Sequence, residues 1–300
     1  MAKFDNQLDD FFGIQDSEHT TSQSEGIRDF LARKLSFRAR LRLLPKVLSF
    51  NERYLIVGLA LTALLALASI PVTTYRHFTT EVPTQGGSLI EGALGTPRLV
   101  NPLLAQTNDA DNDLTSLIFS GLYRYNGQGV LVPDLAKTMP EITPDGLSYS
   151  ITLREDARWH DGVPVTADDI VFTVQTAQNA DYGAPATVRA PWVGVQAQRI
   201  SDHVVQFRID AKYAQFSNNL TLGILPKHLW QDIKPINFSL SELNIKPIGS
   251  GPFRFKSLTK DNLGHIISYK LEAYNQSHLG RPKLNSIEFR FFDSEDGIID

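Results

Sequence analysis

Hydrophobic and polar positions follow three different rules along this chain. Residues 54–75 contain no charged side chain, residues 55–68 are almost wholly apolar, and Arg53 and Arg76 bound the run. At 1.5 Å per residue a helix of that length reaches roughly 30 Å, the thickness of a bilayer's hydrocarbon core. A buried core helix would carry a polar stripe, and up to residue 70 this one offers only Thr62 and Ser69. The pattern predicts a membrane-spanning helix.

A different rule holds before the span. Ile27, Phe30, Leu31, Leu35, Leu41, Leu44 and Leu48 recur near helical spacing with arginines between them until Pro45 interrupts. Residues 26–53 therefore suit a basic amphipathic helix on an anionic leaflet, or equally a charged flank that only fixes topology. Residues 1–25, rich in Asp, Gln, Ser and Thr without periodicity, read as a disordered tail.

After the span, residues 76–86 form a short linker with Thr79, Thr80, Pro83 and Thr84, and a globular region begins near Gly87. There the periods of two and of 3.6 alternate. A strand is predicted at 88–91 and a helix at 111–122, with an Asx cap and Leu114, Leu117, Ile118 and Leu122 on one face. Tyr149, Ile151 and Leu153 alternate with polar residues, a half-buried strand entered through the Asp145-Gly146 turn. Thr166 precedes Asp169 by three residues, a capping box that starts a helix carrying Ile170, Val171, Val174 and Ala177 inward. Residues 193–200 and 204–209 form a hairpin, and 253–258, 265–271 and 287–292 supply three more strands. Close alternation of strand and helix predicts an α/β or α+β architecture.

Charge fixes the orientation of the span. Eight of its preceding residues from Arg28 to Arg53 are basic, while just after it stands Arg76, so the N-terminus belongs in the cytoplasm and the rest outside. Ala66-Leu67-Ala68 offers a small-x-small cleavage site, but the long leader before the apolar run favours a retained signal anchor. From Arg76 onward the chain has 20 basic and 25 acidic residues, with no dominant basic stretch, so a nucleic-acid footprint is missing. The absence of cysteine excludes a disulfide framework, a thiolate zinc site, a cysteine nucleophile and a lipidated cysteine anchor.

Two pairings invite an enzymatic interpretation, His160 beside Asp161 as an acid–base pair and Asp168 beside Asp169 as a carboxylate pair. Neighbours on a strand point to opposite faces and neighbours on a helix diverge by about 100°, so neither pair converges on one substrate atom. No helix bears two histidines at metal-ligand spacing. No catalytic residue, resident metal or cofactor is called for.

A set of motifs in fixed order carries a resemblance. Asn101-Pro102, Ser120-Gly121-Leu122-Tyr123 and Val132-Pro133-Asp134-Leu135-Ala136 are followed by a block from 145 to 173. That block contains Trp159-His160-Asp161-Gly162, Val163-Pro164-Val165-Thr166-Ala167-Asp168-Asp169 and Val171-Phe172-Thr173. Ile224-Leu225-Pro226-Lys227-His228 and Pro247-Ile248-Gly249-Ser250-Gly251-Pro252-Phe253 complete it. In this order they resemble the family 5 extracellular solute-binding proteins, the substrate-capture subunits of peptide and nickel ABC importers. The motifs themselves have structural explanations: Gly146 and Gly162 permit turns, Thr166 caps, and Gly249 to Pro252 lets the chain bend tightly into a strand.

The resemblance implies a periplasmic-binding-protein-like (type II) first lobe over residues 87–300, with an inserted subdomain at about 118–209. It also implies a second lobe and a returning segment that this sequence lacks. The implied function is capture of an oligopeptide and its delivery to a permease, with a nickel chelate or another small solute as the alternative ligand. By position, Gln106, Thr107 and Asn108 match a cleft-facing stretch, Thr221 and Leu222 come next, and Tyr182 lies in the inserted subdomain. Family members are often secreted freely or held by a lipidated cysteine, whereas here the span at 54–75 would tether the lobe near its permease in the cell membrane. Two other classes stay open: a sensor ectodomain, distinguished by a kinase rather than a permease as partner, and an anchored hydrolase, distinguished by turnover that depends on His160 or Asp161.

Overall fold

A computed structural model describes residues 49–79, 84–105, 108–213 and 215–294. The polar tail at 1–25, most of the basic segment at 26–53 and the last residues, 295–300, lie outside the described residues. The chain divides between Val82 and Pro83 into two units.

The first unit holds one long helix, α1 (Phe50–Phe78). It starts one turn earlier than the uncharged run because Ser49 and Glu52 close its first turn: the Glu52 carboxylate accepts from the Ser49 N–H at 2.9 Å and from its hydroxyl at 2.7 Å. Pro71 sits inside the helix and supplies no N–H to the carbonyl of Leu67. Thr62, Ser69, Thr73 and Thr74 turn their hydroxyls back onto carbonyls three or four residues earlier, which hides polar groups within the helix itself. Among the described residues α1 is the helix long and apolar enough to cross a membrane.

The second unit is α/β. Strand β1 (Ser88–Leu94) leads to helix α2 (Asp109–Ile118), followed by the short pair β2 (Tyr123–Tyr125) and β3 (Leu131–Pro133). Next come β4 (Glu141–Ile142), β5 (Ser148–Thr152), helix α3 (Ala167–Gln178), β6 (Gln196–Ser201) and β7 (Val204–Arg208). After several single helical turns, β8 (Phe253–Lys260), β9 (Ile266–Ala273) and β10 (Ser286–Phe292) follow. They build a four-stranded sheet in the order β1-β10-β9-β8 and another in the order β4-β5-β7-β6. The first strand pairs parallel with the last, Ser88 opposite Ser286 through Leu94 opposite Phe292. Helix α2 packs on β1 and β8, and α3 packs on β6 and β7.

The alternation at 149–153 buries Tyr149, Ile151 and Leu153, and the capping box at Thr166 forms, with Asp169 accepting from the Thr166 N–H at 2.8 Å. Ile170, Val174 and Ala177 are buried, while Val171 is half-buried.

Helix α2 departs from its predicted bounds of 111–122 at both ends. Its cap is Asn108, whose Oδ1 accepts from the Ala110 N–H at 3.1 Å, and not Asp111. The Asp111 carboxylate instead folds back to accept from the N–H groups of Arg98 and Leu99 at 2.7 and 3.0 Å, and its burial raises its pKa. At the other end the Ile118 carbonyl receives the Gly251 N–H at 2.8 Å, and Phe119 is extended. Residues 119–122 then run between two other segments: Ser120 O accepts from the Ile224 N–H and Leu122 O from the Asp134 N–H.

The glycines of the motifs split into two kinds. Gly146 and Gly162 adopt φ of 69° and 92°, left-handed conformations that suit glycine in turns. Gly249 and Gly251 do not. Their bareness serves close approach, since a Cβ on Gly251 would lie 2.6 Å from the Leu117 carbonyl oxygen and one on Gly249 would strike that of Ile118. The tight bend anticipated at 249–252 is thus a docking of two backbones.

Candidate functional site

The site forms where α2, the 119–125 segment and the loop at 221–223 meet. They enclose a cavity of about 540 Å³, into which Asn112, Thr115 and Ser116 project from α2, with Pro102 and Ala105 beside them. Arg124, Tyr125, Thr221 and Leu222 line another side, and Asp134, Pro252 and Leu279 complete the wall.

Each wall is held by a specific contact. Asn101, fully buried, accepts the Leu103 N–H at 2.9 Å and donates to Asn244 Oδ1 at 3.0 Å, which fixes the 101–105 turn. Gly121 lets the Thr221 carbonyl come within 2.7 Å of where a Cβ would stand, and Gly223 does the same for Pro102 at 2.9 Å. Thr173 Oγ1 accepts from the Leu225 N–H at 2.9 Å and Asp169 Oδ1 from the Lys227 N–H at 2.8 Å, so α3 holds the segment that follows Thr221 and Leu222. The Tyr125 hydroxyl donates to Asn218 Oδ1 at 2.8 Å.

Beneath the cavity the His278 Nε2 donates to Asp134 Oδ1 at 2.6 Å, with the two side chains 0% and 6% exposed. A second histidine, half-buried, braces the wall from behind. His160 Nδ1 accepts from the Gly249 N–H at 3.2 Å and Nε2 donates to the Gly251 carbonyl at 3.1 Å. Burial lowers the His160 pKa to about 4, which keeps the ring neutral.

The sequence candidates fall in different places. Thr221 and Leu222 line the cavity. Gln106 and Thr107 lie outside the described residues, between the cavity residues Ala105 and Asn112 in the chain. Asn108 uses both ends of its amide locally, capping α2 and donating to the Thr96 carbonyl at 2.9 Å. Tyr182 packs edge-on against Phe238 at 5.0 Å, which also contacts Trp230, and is not part of the cavity wall. Arg124, Asn112 and Ser116 went unnoticed in the sequence because polar residues on a strand or on the outer face of a helix are ordinarily just solvated.

The two acid pairs diverge. Asp161 meets His228 Nε2 at 2.7 Å while His160 faces the 249–251 backbone. Asp168 pairs with Arg199 and Lys227 at 3.4 and 3.3 Å, whereas Asp169 serves as a buried backbone acceptor. Among the described residues no three His, Asp or Glu side chains gather where they could hold a metal ion.

Comparison with known proteins gives a consistent picture. The sequence profile described as bacterial extracellular solute-binding proteins, family 5 Middle, matches residues 130–298. The oligopeptide-binding protein AppA of Bacillus subtilis is 34% identical over 212 residues, covering 69% of this chain and 37% of AppA. Its structure in complex with a nonapeptide aligns with a TM-score of 0.66 at 30% identity, over 72% of this chain and 42% of that one. NikZ from Campylobacter jejuni in complex with Ni(L-His) aligns with a TM-score of 0.63 at 28% identity, over 71% of this chain and 40% of NikZ. The chain thus spans about two fifths of the length of these relatives. With that profile matching more than half of its residues, the chain belongs to the family 5 bacterial extracellular solute-binding proteins.

Proposed function

We propose that this chain is the membrane-anchored, extracytoplasmic substrate-binding component of an ABC importer, and that it captures oligopeptides and delivers them to a permease. The observation that carries this reading is the cavity at α2 and 221–223. It is braced by buried backbone contacts, is lined mainly by small, uncharged and aromatic residues, and lies in a lobe similar to one crystallised with a nonapeptide. Such a wall suits a ligand recognised through its main chain, with room for varied side chains. Ligand contacts in this reading come from Thr221 and Leu222 in the cavity wall and from Gln106 to Asn108, while Tyr182, outside that wall, would serve only a ligand that extends beyond the cavity.

The length and composition of α1 support the anchor, which would hold the binding lobe at high effective concentration beside its permease. A hydrolytic role finds no support, since both ring nitrogens of His160 are committed to backbone. Similarity to NikZ favours a nickel chelate as the second ligand class.

Native mass spectrometry of the full chain, extracted from membranes in detergent and supplied with mixed nonapeptides, tests the reading. Peptide adducts are expected, and a Ni–histidine adduct in their place would favour the second class. Complete absence of adducts would sink both. Carbonate washing of the membranes should leave the protein in the pellet, and its release into the supernatant would refute the anchor.

A further inference from the structure

Two residues around the cavity carry a full charge, Arg124 and Asp134. They are in opposite situations. The Asp134 carboxylate is buried and held by His278 at 2.6 Å. Arg124 is exposed on β2, opposite Val132 of β3, and among the described residues its guanidinium has no carboxylate or hydrogen-bond acceptor as partner. Beside it the Tyr125 ring is fixed through its hydroxyl on Asn218 at 2.8 Å, and the neutral polar side chains of Asn112 and Ser116 also line the cavity.

The cavity therefore presents a guanidinium with no ion-pair partner among the described residues, on a stretch of chain that is acidic in excess, with 20 basic residues, Arg124 included, against 25 acidic from Arg76 onward. A guanidinium offers a planar fork of donors that matches a carboxylate, and a partly enclosed wall screens the pair less than open solvent does. We infer that Arg124 selects ligands bearing a carboxylate in this cavity, supplied either by the C-terminus of a peptide or by an acidic side chain. The inference rests on the cavity being the peptide site.

The test is calorimetric titration of the full chain in detergent with an alanine–serine nonapeptide in four forms: free acid or C-terminal amide, each with glutamine or glutamate at the central position. The wild type should bind carboxylate-bearing forms about tenfold more tightly than the neutral amide. Preference for the free acid identifies the C-terminus as the partner, and preference for glutamate identifies a side chain. Arg124→Gln should lose the preference, while Arg124→Lys keeps part of it. Arg124→Gln retaining the preference, or weakening all four forms alike, would overturn the assignment and leave peptide capture standing. A wild type that binds no form would overturn peptide capture itself, and the assignment with it.

Discussion

The imidazole of His160 stands 3.1 Å from the carbonyl oxygen of Gly251, and its other nitrogen accepts the Gly249 N–H at 3.2 Å. One neutral ring thereby ties the 159–162 turn to the loop that docks on the end of α2. Protonation would turn its acceptor nitrogen into a donor facing another donor.

This arrangement makes stability depend on acidity in a defined direction. The His160 pKa is lowered by burial to about 4 in the folded chain, against an ordinary value of 6.5 when unfolded. Between those values the unfolded state binds the extra proton, so stability is full above pH 6.5 and falls as pH drops toward 4, by up to about 3 kcal/mol. The buried carboxyls of Asp111 and Asp169, whose pKa values are raised by desolvation, work in the opposite sense. Urea unfolding of wild type and His160→Gln at pH 7 and pH 4.5 separates the contributions. The wild type should lose more stability than the variant, and equal losses would contradict the assignment.

Close approach predicts which glycines matter. Gly249→Ala and Gly251→Ala should each cost about 3 kcal/mol, because the added methyl meets the carbonyls of Ile118 and Leu117. Gly127→Ala, with nothing within 4 Å, should change stability by less than about 0.5 kcal/mol. Thermal melts of the three variants would settle it, and three similar melting points would rule out the docking argument.

The Asp134 and His278 side chains are buried together, so removing one leaves the other without its partner. Asp134→Ala and His278→Ala should each destabilise by about 3 kcal/mol, and the double variant by clearly less than their sum. Additive losses in urea titrations would show that the contact contributes no coupling.

Thr221 borders the cavity and is half-buried, and its hydroxyl donates to the Asn218 carbonyl at 2.8 Å. Thr221→Arg fills the cavity with a long side chain without touching the buried core. Nonapeptide affinity should fall at least about tenfold, roughly the loss of one good contact, with the melting point little changed. Unaltered binding would move the peptide away from this wall.

What the sequence made legible was local. The capping box at Thr166 and Asp169 and the alternation of Tyr149, Ile151 and Leu153 depend on neighbours three or two residues apart, and both formed. The cap of α2 escaped because Asn108 and Asp111 are both competent caps, and the choice turned on backbone donors at Arg98 and Leu99. The function of Gly249 depended on where Ile118 ends a helix, and the Asp134–His278 contact joins residues 144 positions apart. Around the cavity, Thr221 and Leu222 are the positions to which the resemblance points, whereas Arg124 carries no pattern that separates it from a solvated strand residue.

The parallel pairing of β1 with β10 also sets an order of events during synthesis. Ser88 leaves the ribosome long before its partner Ser286 exists, a wait of ~10–40 s at 5–20 residues per second. During that interval Leu89, Ile90 and Leu94 belong to a strand with neither edge occupied, and they stay partly exposed even after pairing. The earliest strand to be made is therefore among the last to be secured. Until residues 286–292 have emerged, both edges of that strand are open to pairing with other chains.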